Sequence, residues 1–182
     1  MDTLGVVECR SIAAGVEVAD GMMKVADVEL VRASTICSGR YMIHVAGDRE
    51  AVSTSVRHAE ESGRALKGSF VISNVSRQVL EVLKKDASIG TVEALGVIEC
   101  RSVSSGVAAA DVAVKRSAVD LARLVTGQGI NGKSYFVICG DVASVEEAAG
   151  AASAALGKNL VEAVVIPRPD ASVVKSLIRG VR

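Results

Sequence analysis

The stretch that decides the fold is Leu4-Gly-Val-Val-Glu-Cys-Arg-Ser11, because it returns as Leu95-Gly-Val-Ile-Glu-Cys-Arg-Ser102 in the same chain of 182 residues. The copies lie 91 residues apart (95 − 4), and this offset also relates Gly15 to Gly106 and Lys24 to Lys115. Internal repetition of this kind indicates a duplicated structural unit. We therefore predict two fused domains, residues 1–90 and 91–182, with a polar linker at residues 84–90.

The offset between the copies changes further along the chain. Leu30 matches Leu121 at 91 residues, whereas Gly39 matches Gly132 at 93 residues (132 − 39). The second copy therefore carries two extra residues between Leu121 and Gly132.

Each copy has the same order of predicted elements. In the first copy these are a strand at residues 4–9, a helix at 15–25, strands at 28–36 and 41–46, a helix from Asp48 to about 64, a strand at 70–73 and a short helix at 75–83. The order βαββαβ followed by a helix is the ferredoxin-like arrangement, an α+β fold. It predicts an antiparallel four-stranded sheet in each domain, with helices on one face and much of the other face free.

Composition excludes several classes of function. Lys+Arg and Asp+Glu are 21 each, so the net charge is zero, and only 2% of residues are aromatic. Binding to nucleic acid through phosphate contacts and base stacking is therefore not expected. The chain has neither a long apolar run nor a basic, apolar N-terminus, so we expect no membrane association and a cytoplasmic location. Zero net charge favours self-association.

Several motifs resemble those of a known family. The opening motif, the pattern Gly-x-x-x-Ala-Asp-x-x-x-Lys at residues 15–24 and the pattern Gly-Arg-Tyr-Met…Gly-Asp at residues 39–48 resemble bacterial microcompartment shell (BMC) domains. Ile166-Pro-Arg-Pro169 is similar to the family's closing motif, which the first copy replaces with Ile72-Ser-Asn-Val75. Two such domains in one chain resemble the tandem-domain shell proteins. The resemblance implies a homotrimer that imitates a hexamer, tiles with other shell proteins around enzymes and is not itself an enzyme.

The resemblance also implies residues at the edge of the tile. Lys24 and Lys115 match the family's edge lysine, and Arg168 matches an arginine that inserts into the adjoining tile. A lysine stem packs flat while its ammonium donates to carbonyls. The alternative is that all three are ordinary solvated surface charges.

One of the four cysteines differs from the others. Cys9, Cys100 and Cys139 lie in apolar runs and are expected to be buried. Cys37 lies in a turn, and Ile130 occupies the matched position in the second copy. The resemblance implies that this turn and its counterpart line a central pore, through Thr35, Ile36, Ser38, Gly39, Gly129, Ile130, Asn131 and Gly132.

The pattern around Cys37 resembles the iron–sulfur type of tandem-domain trimer, with Ser38 in place of a proline and Arg40 in place of a lysine. The resemblance implies a [4Fe-4S] cluster bound by three Cys37 side chains per trimer, with a fourth ligand that is not cysteine. Such a cluster would serve to transfer electrons, or the cluster itself, across the shell to a redox partner or an encapsulated enzyme. The alternatives are a metabolite-conducting pore without metal, or a ligand-binding ferredoxin-like sensor.

Two further features are expected to carry no chemistry. Gly127-Gln-Gly-Ile-Asn-Gly-Lys-Ser134 formally matches a P-loop, but a true P-loop opens a helix, whereas this segment joins two predicted strands. His44 and His58 have no evident nucleophile to serve, so His44 is expected to be a structural or interface residue.

Overall fold

A computed structural model describes residues 2–85 and 89–179. The chain divides into two compact units, the first comprising Met1–Leu80 together with Gln128–Gly132, and the second Glu81–Gly127 together with Lys133–Arg182. The domain boundary at residue 90 stays a prediction, and residues 86–88 of the expected linker lie outside the described residues.

The first repeat forms a four-stranded antiparallel sheet. Its elements are β1 (Thr3–Cys9), α1 (Ile12–Val25), β2 (Glu29–Ile36), β3 (Arg40–Gly47), α2 (Arg49–Glu61), β4 (Leu66–Ile72) and α3 (Arg77–Lys84). The strand order is β2-β3-β1-β4. Helices α1 and α2 pack on one face, where Val7, Ile43 and Val56 belong to the buried core.

The second repeat has the same architecture. Its elements are β5 (Ala94–Cys100), α4 (Val103–Arg116), β6 (Asp120–Thr126), β7 (Ser134–Gly140), α5 (Val142–Leu156), β8 (Leu160–Pro167) and α6 (Ala171–Arg179). The strand order β6-β7-β5-β8 repeats that of the first sheet. The predicted fold class, two tandem ferredoxin-like α+β domains, is confirmed. None of the described helices has both the length and the apolar character needed to cross a bilayer.

Several element boundaries differ from the sequence-based prediction. Helix α1 begins at Ile12 rather than at residue 15, and β4 begins at Leu66 rather than at residue 70. Helix α2 ends at Glu61, before the expected end near residue 64, because Gly63 adopts a φ of +71° that cannot continue a right-handed helix.

The prediction that the sheet face opposite the two helices is largely free was wrong for the second unit. Helix α6 packs on that face, where Val174, Leu177 and Ile178 contact a cluster that includes Leu95 and Val137. In the first unit the corresponding face is also buried, at Leu4, Val6 and His44. The reason lies in the strands themselves, whose apolar residues are consecutive rather than alternating, so both sheet faces need cover.

The repeated glycine of each first helix has a packing reason. A Cβ at Gly15 would lie 2.4 Å from the Cβ of Tyr41, and a Cβ at Gly106 would lie 2.0 Å from the Oγ of Ser134. Both distances are far below van der Waals contact, so only glycine lets the helix approach the third strand of its repeat this closely.

The two extra residues of the second repeat lie in one loop. Thr35 pairs with Tyr41 in the first repeat, and the equivalent pair in the second repeat is Thr126 with Ser134. We call residues 36–40 the first loop and residues 127–133 the second loop. Because the paired strands match, the insertion lengthens only the second loop.

His44 is an unusual buried polar residue in the first sheet. It is fully buried, and neither ring nitrogen makes a hydrogen bond of good geometry within the described residues. Burial, assisted by the charge of Arg32 on the neighbouring strand and partly offset by the Arg32 backbone, lowers the pKa of His44 to about 4. Val137 occupies the matched position in the second repeat, opposite Arg123.

Replacement of His44 should change how stability depends on pH. The folded-state pKa lies below the ordinary value of 6.5, so the unfolded chain binds the proton more readily and stability falls as pH drops from about 6.5 to 4. We expect a loss of about 2 kcal/mol in unfolding free energy between pH 7 and pH 5. His44→Val, which copies Val137, should remove most of this loss in urea unfolding experiments. An undiminished loss in that variant would assign the pH dependence to other groups.

Candidate functional site

The first loop carries Cys37 on a tight turn. Cys37–Gly39 form a single 3-10 turn in which Ser38 and Gly39 both adopt a left-handed φ of 66°. Two successive left-handed residues reverse the chain sharply between β2 and β3. The Cys37 side chain is partly exposed.

The second loop presents backbone amides to Cys37 within the first unit. Gly129, Asn131 and Gly132 adopt positive φ values of 73°, 54° and 75°. The backbone amide of Asn131, followed by those of Gly129, Ile130 and Gly132, lowers the pKa of the Cys37 thiol by hydrogen bonding. The thiolate is both the metal ligand and the nucleophile in cysteine chemistry, so this loop favours the reactive form.

Gln128 fastens the second loop to β2. Nη2 of Arg32 donates to Oε1 of Gln128 at 2.6 Å, and Nε2 of Gln128 donates to Oγ of Ser34 at 3.0 Å. Arg32 and Ser34 are alternate residues of one strand, so their side chains share a sheet face. Sequence reasoning missed this contact. The only local signal was a long polar side chain between two glycines.

Arg40 braces both loops. Its Nε donates to the Cys37 carbonyl at 3.1 Å, and its guanidinium forms an ion pair with Glu8, in which both side chains are at most 17% exposed. The same guanidinium lies against Gly132, where a Cβ would come within 2.1 Å of Nη2. Glycine at position 132 therefore leaves room for Arg40 as well as allowing the left-handed turn.

The three other cysteines are buried, as predicted. Burial raises the pKa of Cys9, and it raises the pKa of Cys100 and of Cys139 to about 11. These thiols stay protonated near neutral pH and act as small apolar side chains. Cys37 is therefore the one described cysteine whose surroundings favour a thiolate.

The metal-binding capacity of a single chain is limited. Among residues 2–85 and 89–179, no group of three His, Cys, Asp or Glu side chains could hold a metal ion. Cys37 offers one sulfur ligand per chain, whereas a cubane cluster commonly uses four cysteines. The donor chemistry at Cys37, a thiolate among amide donors, fits an iron–sulfur cluster. The ligand number requires several copies of the chain.

The predicted pore residues come together in the first unit. All eight lie in the two loops or at the end of β2, and the side chain of Ile36 is buried while those of Ser38 and Asn131 are exposed. The formal P-loop match runs from the end of β6 into β7 and opens no helix. This agrees with the expectation that the match arises by chance.

The predicted edge residues belong to elements other than the two loops. Lys24 and Lys115 stand in the last turns of α1 and α4, and each pairs with an aspartate four residues earlier, Asp20 at 2.6 Å and Asp111 at 2.5 Å. Arg168 is exposed and adopts a left-handed φ of 49°, an uncommon conformation for a residue with a long side chain.

Comparison with known proteins assigns the family. A family model of the BMC domain matches residues 3–75 and 94–169. The chain therefore belongs to the bacterial microcompartment shell proteins, with two BMC domains in tandem. It is 37% identical to the bacterial microcompartment shell protein PduT of Citrobacter freundii, over 97% of this chain and 98% of that protein. It is also 40% identical to the carboxysome shell protein CcmK2 of Thermosynechococcus vestitus, over 38% of this chain and 69% of that protein.

Solved structures agree with the assignment. A microcompartment protein from Desulfitobacterium hafniense DCB is similar with a TM-score of 0.92 and 38% identity, covering 96% of this chain and 99% of that one. The fused permuted hexameric shell protein MSM0275 matches with a TM-score of 0.56 and 21% identity, covering 85% and 81%, and shows the shared fold alone.

Proposed function

We propose that this shell protein forms a homotrimer in which three Cys37 thiolates bind one [4Fe-4S] cluster at the central pore. The observation that carries the proposal is a partly exposed Cys37 on a turn held by Arg40, with the second loop fastened by Gln128, whose neighbouring amides lower the pKa of the thiol. A threefold axis converts one cysteine per chain into three converging ligands. The fourth iron then takes a ligand that is not cysteine.

The residues around Cys37 have distinct roles in this proposal. The amides of Gly129 and Asn131 donate to sulfur and so help to set the reduction potential. Arg40 holds the Cys37 carbonyl and so orients the turn. When bound, the cluster would supply one-electron transfer to a redox partner or an encapsulated enzyme. Alternatively, the cluster itself would be transferred to that protein.

Ile130 explains why three ligands rather than six would converge. It stands in the second loop where the first loop has Cys37, and its aliphatic side chain cannot ligate iron. Only the first repeat contributes sulfur, so the proposed cluster-to-chain ratio is one to three.

We further propose that Lys24, Lys115 and Arg168 form the edge of the tile. The aspartates beside the lysines support this, because an i,i+4 ion pair holds an otherwise mobile ammonium in one place. The left-handed backbone at Arg168 supports it too, since such strain persists mainly where a function depends on it.

Reversal of the edge charges should separate trimer formation from tiling. Lys24→Asp combined with Lys115→Asp replaces each ion pair with two carboxylates that repel one another. We expect intact trimers that no longer form extended sheets in electron micrographs. Lys158→Asp combined with Lys175→Asp makes the same charge change on other exposed lysines and should leave the sheets intact. Sheets formed by the first double variant would remove these lysines from the edge.

Iron analysis tests the proposed cluster. Protein purified without oxygen should be brown, with broad thiolate-to-iron absorption and about four irons and four sulfides for every three chains. Cys37→Ala should be colourless and still folded. Cys139→Ala is the matched control, because it removes a buried thiol at the position that Ala46 occupies in the first repeat, and it should keep the colour.

A colourless wild-type protein after anaerobic reconstitution with iron and sulfide would reject the cluster. Cys37 would then merely line a metabolite-conducting pore, the metal-free alternative.

A further inference from the structure

The arginine of the repeated opening motif has no part in the function proposed above. Arg10 directly follows β1, and its Nε donates to the Leu66 carbonyl at 3.3 Å. Arg101 holds the matched position in the second repeat, where its Nε donates to the Lys158 carbonyl at 3.0 Å. Both arginines are exposed. A carbonyl acceptor fixes the guanidinium in place but leaves its charge uncancelled.

Arg10 lies at the same end of the first sheet as Cys37. β1 runs antiparallel to both β3 and β4, and its last residue, Cys9, pairs with Tyr41 and Leu66 near the starts of those strands. β2 is also antiparallel to β3 and leads directly into Cys37. The ends of β1 and β2 and the starts of β3 and β4 therefore share one end of the sheet.

Positive charge exceeds negative charge at this end of the sheet. The Glu8 carboxylate pairs with Arg40, and Nζ of Lys67 lies 3.9 Å from the same carboxylate. One carboxylate thus stands against two cations, and Arg10 adds a third. The side chain of Lys67 is 50% exposed, against 17% for Glu8, so the cation contributes more to the exposed surface than the carboxylate. We call Arg10, Arg40 and Lys67 the basic patch.

The basic patch is continuous with the turn that carries Cys37. Nε of Arg40 donates to the Cys37 carbonyl at 3.1 Å, while the same guanidinium pairs with Glu8. Arg64, which precedes β4, pairs with Glu17 and so adds no excess charge. A protein that approaches Cys37 at this end of the sheet therefore encounters an excess of positive charge.

We propose that the basic patch is the docking surface for an electron-carrier protein whose own surface is rich in aspartate and glutamate. The charge of the partner follows from the patch, because opposite charges steer two proteins together and fix their orientation. The cations come from the ends of three different strands, which suits an extended protein surface more than one small anion. The partner's role as an electron carrier rests on the cluster proposed above.

Binding of an acidic ferredoxin to the iron-free protein tests the docking surface. Fluorescence anisotropy of labelled ferredoxin should show an affinity that falls as salt is raised, because salt screens exposed charges. Arg10→Gln combined with Lys67→Gln removes two charges from each chain and keeps Arg40 on the Cys37 turn. We expect this double variant to bind the ferredoxin about tenfold more weakly than the wild type.

Arg49→Gln combined with Arg57→Gln is the matched control. It removes the same charge from exposed positions of α2, which begins beyond the opposite end of β3, and it should bind like the wild type. Equal weakening in the two double variants would reduce the effect to net charge. Undiminished binding by the patch variant would remove these residues from the docking surface. Either result would overturn the inference.

The iron content of the wild-type protein separates this inference from the cluster. Trimers that contain iron but bind ferredoxin no more tightly than they bind cytochrome c, a basic protein, would leave the cluster standing and reject the docking surface. Protein that takes up no iron, yet binds ferredoxin through the basic patch, would reject the cluster and support the docking surface for an acidic protein.

Discussion

The candidate site depends on one constraint, the fastening of the second loop to the first repeat, which lets the amides of that loop lower the pKa of the Cys37 thiol. A partly exposed cysteine on a turn would otherwise remain a thiol near neutral pH. Amide donors stabilise the thiolate without a metal or a neighbouring base. The geometry needs left-handed residues in the loop, Gln128 to hold the loop on β2, and a glycine at position 132 that leaves room for Arg40. Each of these serves to bring the amides to the sulfur.

Duplication made this arrangement possible because the two copies could diverge. The cores remained alike, down to the glycine that lets each first helix approach its third strand. The loops did not, since the second is two residues longer and has Ile130 where the first has Cys37. His44 against Val137 shows the same divergence inside the sheet. One repeat therefore supplies the sulfur, and the other supplies the amides that stabilise it.

Much of the fold could be predicted from the sequence, because a repeated strand motif and hydrophobic periodicity are local signals. The position of Cys37 in a turn followed from its glycine neighbour. The cover of the outer sheet face by α6 was missed, although the consecutive apolar residues of β5 signal burial on both faces. The anchoring of Gln128 by Arg32 could not be predicted, because it joins residues distant in sequence through a hydrogen bond that no periodicity encodes.

The alkylation rate of Cys37 as a function of pH, measured in iron-free protein with iodoacetamide, tests the central interaction most directly. We expect a midpoint below the value of about 8.5 that is typical of an unperturbed thiol. In Gln128→Leu, which releases the second loop, the midpoint should move back toward that value. A wild-type midpoint at or above that of the unfolded chain would show that the second loop does not stabilise the thiolate.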